Sequence, residues 1–395
     1  MPLTFEIHHR SSEHAGRTGT VTTPHGSFQT PAFMPVGTRG SVKGLTPSQV
    51  RATGSEIILN NAYHLMLRPG DEQIRQLGGV HAFMRWNRPI LTDSGGYQAW
   101  SMADINTVDE DGVTFRSIID GSKIRITPER SIEIQNNLGA DIIMAFDDCP
   151  SSVAPQTQNL ARRRHALTKR DGELSVVEHE ARLLQSLDRT ARWLERCANS
   201  HQRPNEQALF GIVQGGTDLD LRSRSVEQVC NVELPGYAIG GVAVGESPEK
   251  INEVVQFTAN LLPEKKPRYL MGVGYERDLV ASVSSGMDMF DCVLPTRNGR
   301  NGQAFTRKGQ IHLRNACYKA DTRVIEDGCS CATCSGGFSR AYLRHLFMSK
   351  EMLSGILVSQ HNIHHFQSLM IDIRLAIEDN SWSALPQRWP VLLSQ

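Results

Sequence analysis

Eight short apolar runs, each closed by glycine or a polar residue, punctuate the first 295 positions of the chain. They are TPAFMPVG (30–37), EIILNN (56–61), PILTDSGG (89–96) and DIIMAFDD (141–148), then LFGIVQGG (209–216), GYAIGGVAVG (236–245), RYLMGVG (268–274) and MFDCVLPT (289–296). A strand with one wet face alternates polar and apolar residues. These runs do not, so they read as strands buried on both faces, hence parallel. Parallel strands need crossovers, and helix-like stretches lie between most of the runs. TPSQVRATG (46–54) opens with Thr and closes with Gly, SPEKINEVVQFTANLL (247–262) carries apolar residues at helical spacing, and ERDLVASVSSG (276–286) is a third. The pattern predicts the α/β class and a (β/α)8 barrel, with a doubly wound open sheet as the rival. The barrel is favoured because polar and glycine residues sit at the C-terminal end of almost every strand, where barrels carry their sites. Two connections are long. Residues 97–128 are expected to hold a hairpin (GVTFRSIIDGSKIRIT), and 150–205 a highly charged helical stretch whose part at about 160–185 reads as an insertion.

Among 395 residues, 39% hydrophobic and 21% charged, basic and acidic groups balance to a formal net charge of zero. A nucleic-acid partner would therefore have to be held by local basic patches. MPLTFEIHHR at the start lacks an apolar signal core and no run of 18 apolar residues occurs, so the expected compartment is the cytoplasm. Of eight cysteines, Cys149, Cys197, Cys230, Cys292 and Cys317 are scattered and read as thiols, most of them buried. Cys329, Cys331 and Cys334 are bunched in GCSCATCSGG (328–337), which is metal-clamp spacing. A closed tetrahedral zinc site needs a fourth ligand. Cys317, His345, His361, His364 and His365 are candidates, and spacing alone does not choose.

Carboxylates recur at the strand ends: Asp93 after PILT, Asp147 and Asp148 after IIMAF, and Asp291 within DMFDCVLP. Asp93 also fits a helix cap. A carboxylate inside an apolar strand is costly unless partnered, so Asp291 marks either a site or a buried ion pair, to Arg297 or Arg300. Gln214 ends the fifth strand and Gly240-Gly241 the sixth. Two carboxylates across a barrel mouth suit glycosidic chemistry: one attacks the anomeric carbon and the other handles the leaving group's proton. A further Asp with a Gln and backbone N–H groups would read a flat heterocycle.

TDSGGYQ (92–98), FDDC (146–149), GIVQGG (211–216), YAIGGVAVGE (237–246), RYLMGVG (268–274) and DMFDCVLPTRNGRNGQA (288–304) together resemble the tRNA-guanine transglycosylases of bacterial type. So do the cysteine cluster, SRAYLRHL and HNIHHF, and the resemblance runs from about Thr4 to about Ile377. It implies a (β/α)8 barrel filling residues 1–395, with a small zinc-binding subdomain at about 305–370. It also implies base exchange at wobble position 34 of tRNAs with a GUN anticodon, in queuosine biosynthesis. Guanine is removed and the 7-deazaguanine preQ1 inserted through a covalent tRNA–Asp intermediate. Queuine as the incoming base, or a non-catalytic tRNA-binding subunit, are the alternatives.

By motif, Asp291 is the nucleophile and Asp93 the general acid/base. Asp93, Ser94, Gly95, Gly96, Asp147, Cys149, Gln214, Gly240 and Gly241 would form the base pocket, with Tyr97 and Met271 sandwiching the ring. Gly272, Val273, Gly274, Tyr275, Glu276, Arg277 and Asp278, with Thr296, Arg297, Asn298, Gly299 and Arg300, would meet tRNA. The family pattern makes His361 the fourth ligand of a structural Zn2+, and a homodimer is implied. The covalent intermediate must be kept from water, which a tight apolar pocket around Cys149, Val242 and Val244 would do. Cys149 and Val244 favour preQ1. Arg297, Arg300, Arg307 and Lys308, together with PEKKPR (263–268), are the expected phosphate-facing charge. A zinc hydrolase on a barrel would need an open metal site of His and carboxylates at strand ends, and the cysteine cluster lies after the barrel.

Overall fold

A computed structural model describes residues 2–96, 106–152, 175–243 and 246–393. Thr4–Arg10 (β1), Arg17–Thr23 (β2) and Gly26–Thr30 (β3) form an antiparallel sheet. The barrel then starts with Ala32–Pro35 (β4), Ile58–Asn60 (β5) and Ile90–Thr92 (β6). Asn106–Val108 (β7), Val113–Arg116 (β8) and Lys123–Ile126 (β9) make a second antiparallel sheet outside it, so the expected hairpin gains a third strand. Ile142–Met144 (β10), Ala208–Val213 (β11), Gly236–Ile239 (β12), Arg268–Leu270 (β13) and Met289–Cys292 (β14) complete the barrel. The eight strands pair in parallel in the order β4-β14-β13-β12-β11-β10-β6-β5. A parallel bridge between Val36 and Leu59 closes the ring, so there is no open edge between β4 and β5. Seven of the eight barrel strands fall inside one of the eight apolar runs, and β11 starts one residue ahead of its run.

The strands alternate between two apolar environments. In β10, Ile142 and Met144 point into the barrel interior with Leu91, Phe210 and Ile212, while Ile143 faces the helices. Val21 and Phe28, from β2 and β3, join the interior cluster. The β1–β3 sheet thus plugs one mouth of the barrel, and its polar bonds identify which one. His25 N–H donates to Asp141 ahead of β10, and Arg17 pairs with Asp288 ahead of β14. These are N-terminal strand ends, so the plugged mouth is the lower one and the C-terminal mouth lies opposite.

The helices begin where capping chemistry allows. Pro47–Ala52 (α1) starts behind a Thr46 capping box. Ala62–Leu67 (α2) follows β5 directly. Val176–Ser200 (α3) has a second capping box at Ser175 and is the described part of the charged stretch. Leu219–Cys230 (α4), Pro248–Leu261 (α5) and Glu276–Ser284 (α6) are crossovers, and Leu294–Arg300 (α7) follows β14. After a hairpin of Gln303–Thr306 (β15) and Gly309–His312 (β16), the long helix Met352–Glu378 (α8) returns to the barrel. A separate small core of Ala304, Leu313, Ile325, Leu343, Phe347 and Val358 lies beside the cysteines. No helix among the described residues is long and apolar enough to cross a membrane.

Candidate active site

Four strand ends bring the predicted polar residues to the open, C-terminal mouth. Asp93 follows β6. Its Oδ1 accepts the Ala62 N–H at 2.8 Å and its Oδ2 the Asn61 side-chain amide, so it sits on the first turn of α2. It thereby caps a helix earlier in sequence. Asp291 lies on β14. Its Oδ1 accepts the Tyr269 hydroxyl at 2.6 Å and the Gly272 N–H at 2.8 Å. Burial raises its carboxyl above the ordinary value, and those two bonds oppose the rise. No ion pair joins it to Arg297 or Arg300 among the described residues, which removes the buried-salt-bridge reading. The Tyr269 hydroxyl is pushed far up by burial and by the charges of both Asp291 and Asp93, so the two carboxylates share one electrostatic neighbourhood.

Asp147 and Asp148 are adjacent, and their environments differ completely. Asp148 is ion-paired to Arg182 at 2.6 Å and Arg189 at 2.5 Å, both from α3. Asp147 has no cationic partner among the described residues. It accepts the Gln214 amide at 2.6 Å and is a long 3.5 Å from Ser94 Oγ. Burial pushes its carboxyl up to about 7, against the pull of Gln214. Cys149 is buried beside it, and burial drives its thiol well above the ordinary range. Through Arg182 and Arg189 the charged stretch neutralises Asp148, while its Arg192 and Arg196 pair with Glu110 and Glu129.

Gly240 and Gly241 run behind Gln214. A Cβ on Gly240 would lie 2.8 Å from the Gln214 amide nitrogen, and one on Gly241 only 2.2 Å from its oxygen, so a side chain at either position would displace the amide. Ser94, Gly95 and Gly96 form the opposite wall, where a Cβ on Gly96 would meet the Asp147 carbonyl oxygen at 3.0 Å. Met271 is half-buried against the barrel interior. Tyr97 and Val244 lie outside the described residues. Val242 is buried.

The expected tRNA contacts divide. Gly272, Tyr275, Arg277 and Arg297 are exposed, and Asp278, Asn298 and Arg300 partly so. Val273, Gly274, Glu276, Thr296 and Gly299 are buried. Glu276 instead bonds His365 on α8 at 2.9 Å. PEKKPR is a correction: it precedes β13 and so lies at the plugged mouth, where Arg268 is buried and donates to the Leu262 carbonyl at 2.7 Å. Arg307 stacks over Trp389, 4.8 Å from its centroid.

Cys329, Cys331, Cys334 and His361 converge. His361 Nδ1 stands 3.7, 3.4 and 3.5 Å from the three sulfurs in that order. Zn–S bonds of about 2.3 Å and a Zn–N bond of about 2.05 Å in a tetrahedron put sulfur and nitrogen about 3.6 Å apart, so the cluster fits that ion. His361 Nε2–H donates to the Phe305 carbonyl at 2.7 Å, which leaves the Nδ1 lone pair for a metal. Of the other candidates, His364 faces Ser330, His365 pairs with Glu276, and Cys317 is exposed. The next residue on α8, Asn362, donates to the Pro295 and Gln303 carbonyls, so the helix that carries the ligand also holds α7.

Three residues that contribute to the site were not singled out from the sequence. Tyr269 was hidden in an apolar run, Asn61 in a strand end, and Arg222 in an ordinary amphipathic helix. Arg222 is fully buried and, among the described residues, donates only to backbone carbonyls.

The chain matches the family model for queuine tRNA-ribosyltransferase over residues 12–182 and 171–391. It is 48% identical to a queuine tRNA-ribosyltransferase of Thermus thermophilus over 381 residues, which is 96% of this chain and 92% of the relative. It is 46% identical to one of Lysinibacillus sphaericus (96% and 93% covered) and 47% to one of Cereibacter sphaeroides (95% and 94% covered). The eight-stranded barrel, the carboxylates at its open mouth and these matches agree that the chain belongs to the queuine tRNA-ribosyltransferase family of enzymes.

Proposed function

We propose that the chain exchanges guanine at tRNA wobble position 34, in GUN anticodons, for preQ1. The observation that carries this is the pair of strand-end carboxylates, Asp93 and Asp291, beside a buried Asp147–Gln214 pair at one mouth of the barrel. In this reading the base must leave its stack, which an anticodon loop makes cheap. Asp147 accepts N–H groups of the purine edge, and Gln214 with the glycine backbone donates to its carbonyl. An Asp291 oxygen attacks ribose C1′. The bond from C1′ to the base nitrogen breaks, its electron pair leaves with guanine, and protonated Asp93 delivers its proton to guanine. Both donors described for Asp291 fall on Oδ1, which makes Oδ2 the attacking atom. Asp93 then takes the N9 proton of the incoming base, N9 attacks C1′, and the Asp291 ester is released. Asp93 is aimed by α2 and so keeps its place while the base changes.

Cys149 and Val244 resemble the bacterial type and support preQ1 as the incoming base. The four-ligand cluster is assigned to structural zinc. Bound there, the ion supplies folding free energy and no Lewis acidity, because protein fills all four positions. Cys329, Cys331, Cys334 and His361 would hold it and, through Asn362, keep Arg297 and Arg300 near the mouth. A homodimer in the cytoplasm is the assembly and compartment that go with the family reading. The presence of both carboxylates argues against a non-catalytic subunit. The test is incubation with radiolabelled guanine and undermodified tRNA. Label entering tRNA, then chased out by unlabelled preQ1 and not by queuine, is expected. No incorporation sinks the reading, and chase by queuine alone would change the incoming base.

A further inference from the structure

We infer that Arg222 is a positioning residue that sets the orientation of the Gly240–Gly241 peptide, so that the Gly241 N–H is presented to a carbonyl oxygen of the bound base. This deepens the proposed function and rests on its reading of the pocket as a purine site.

Arg222 comes from α4 and lies behind the pocket, fully buried. Its Nη1 donates to the carbonyls of Val213 at 3.1 Å and Gly240 at 2.8 Å. Its Nη2 donates to Gly216 at 2.7 Å and Gly241 at 3.1 Å, and its Nε to Gly216 at 2.9 Å. Burial lowers its pKa to about 10, so it stays cationic at neutral pH. Its hydrogen bonds among the described residues all go to carbonyls, with the Glu246 carboxylate near enough to act on it, and a buried cation held this way is a costly choice for a core, which needs only apolar packing there.

The geometry of the peptide supplies the reason. In a trans peptide the C=O and N–H point in opposite directions. With the Gly240 oxygen held by Arg222, the Gly241 N–H must face the other way, toward the Gln214 side of the loop. Gly241 is buried, and its N–H takes no acceptor among the described residues. Buried backbone N–H groups are nearly always paired, so this donor is prepared for something that arrives. Gly241 has φ +62°, and a Cβ there would lie 2.2 Å from Gln214 Oε1, which puts the donor beside the amide that holds Asp147. The guanidinium also polarises the carbonyl it grips, which strengthens the N–H at the far end of the same peptide. When the bond to C1′ breaks, charge spreads onto the base carbonyl, and a fixed donor serves that charge best. Arg222 acts through the backbone and touches neither base nor ribose.

Arg222→Met removes every donor, and Arg222→Lys keeps the charge without the planar fork. Zinc content and circular dichroism check the fold. Calorimetry then measures binding of guanine and of 2-aminopurine, which lacks the carbonyl, and gel shift measures tRNA. Arg222→Met should weaken guanine roughly 10- to 100-fold, the effect of a charge-supported hydrogen bond. Affinities for 2-aminopurine and tRNA should stay within about twofold, with Arg222→Lys intermediate for guanine. Equal losses for both purines, or unchanged guanine binding in a folded variant, overturns the inference. If Arg222→Met does not fold, the same comparison on Arg222→Lys decides. If neither folds, Arg222 serves the fold and not the site. Wild type that binds neither purine would sink the purine reading itself, a failure distinguishable because it precedes any variant.

Discussion

The two mouths of the barrel use the same residue type in opposite ways. At the plugged mouth, Asp288 takes both Arg17 nitrogens, at 2.9 and 2.7 Å, and the Arg268 N–H at 2.8 Å. Asp141 accepts two imidazoles and two backbone N–H groups, and its carboxyl is held far below the usual range by the His25 and His81 bonds despite burial. At the open mouth, buried Asp147 and half-buried Asp291 have fewer partners among the described residues, and loss of solvent raises both. A carboxylate whose lone pairs are filled holds strands together. One left under-satisfied stores reactivity, because a ligand completes it. The loss of a lower carboxylate should therefore cost stability, and the loss of an upper one should cost chemistry.

The largest effect expected is for Asp291→Asn. An amide cannot attack C1′ and leave again, so label incorporation should fall to background and the denaturation-resistant tRNA adduct should vanish from gels. Near-normal exchange would erase the upper half of the comparison. Next is Asp288→Ala, which strands the buried Arg17 and should destabilise the fold by about 3–5 kcal/mol in urea titrations. The protein that remains folded should turn over normally. A variant that unfolds no earlier would mean the lower carboxylates are not what they resemble.

Asp93→Ala should reduce turnover by at least roughly 10²-fold while gel-shift affinity for tRNA holds, since proton transfer matters mainly in the transition state. Affinity lost with turnover intact would make Asp93 a binding residue. Asp147→Asn sharpens the contrast through pH. An acid whose pKa is raised on folding contributes stability that is complete below its unfolded value. That stability is lost as pH rises from about 3.8 to about 7. Thermal melts should show the decline in wild type and a flatter profile in Asp147→Asn; identical profiles would place the ionisation elsewhere. The smallest effect belongs to Arg297→Ala, which should reduce the salt dependence of tRNA binding by about one unit of slope. An unchanged slope would turn this side chain away from phosphate.

The eight barrel strands were legible because burial on both faces leaves continuous apolar runs, which few other elements imitate. The strand-end polar residues were legible for the same reason, since each interrupts such a run. Arg222 was not. In LDLRSRSVEQVC it looks like Arg224, yet Arg224 lies outside on Asp188 at 2.7 Å, and only packing separates them. Tyr269 carries its hydroxyl within a run that reads as pure core. The β1–β3 sheet was missed because its strands mix exposed and buried positions without a clean period. The misplaced PEKKPR teaches a topological point: residues that precede a parallel barrel strand belong to the mouth away from the site.

The plug of Val21 and Phe28 has a kinetic consequence. A barrel filled with side chains and closed below by a sheet has no rear exit. On the proposed reaction, the departing purine and its replacement must pass, one after the other, through the opening that the tRNA covers. Free guanine then competes with the incoming base for the same volume, and a wide enough gap between anticodon loop and rim sets the largest base the enzyme can install. Crowding that gap, with a bulky residue at an exposed rim position such as Tyr275 or Arg297, would slow large bases before small ones.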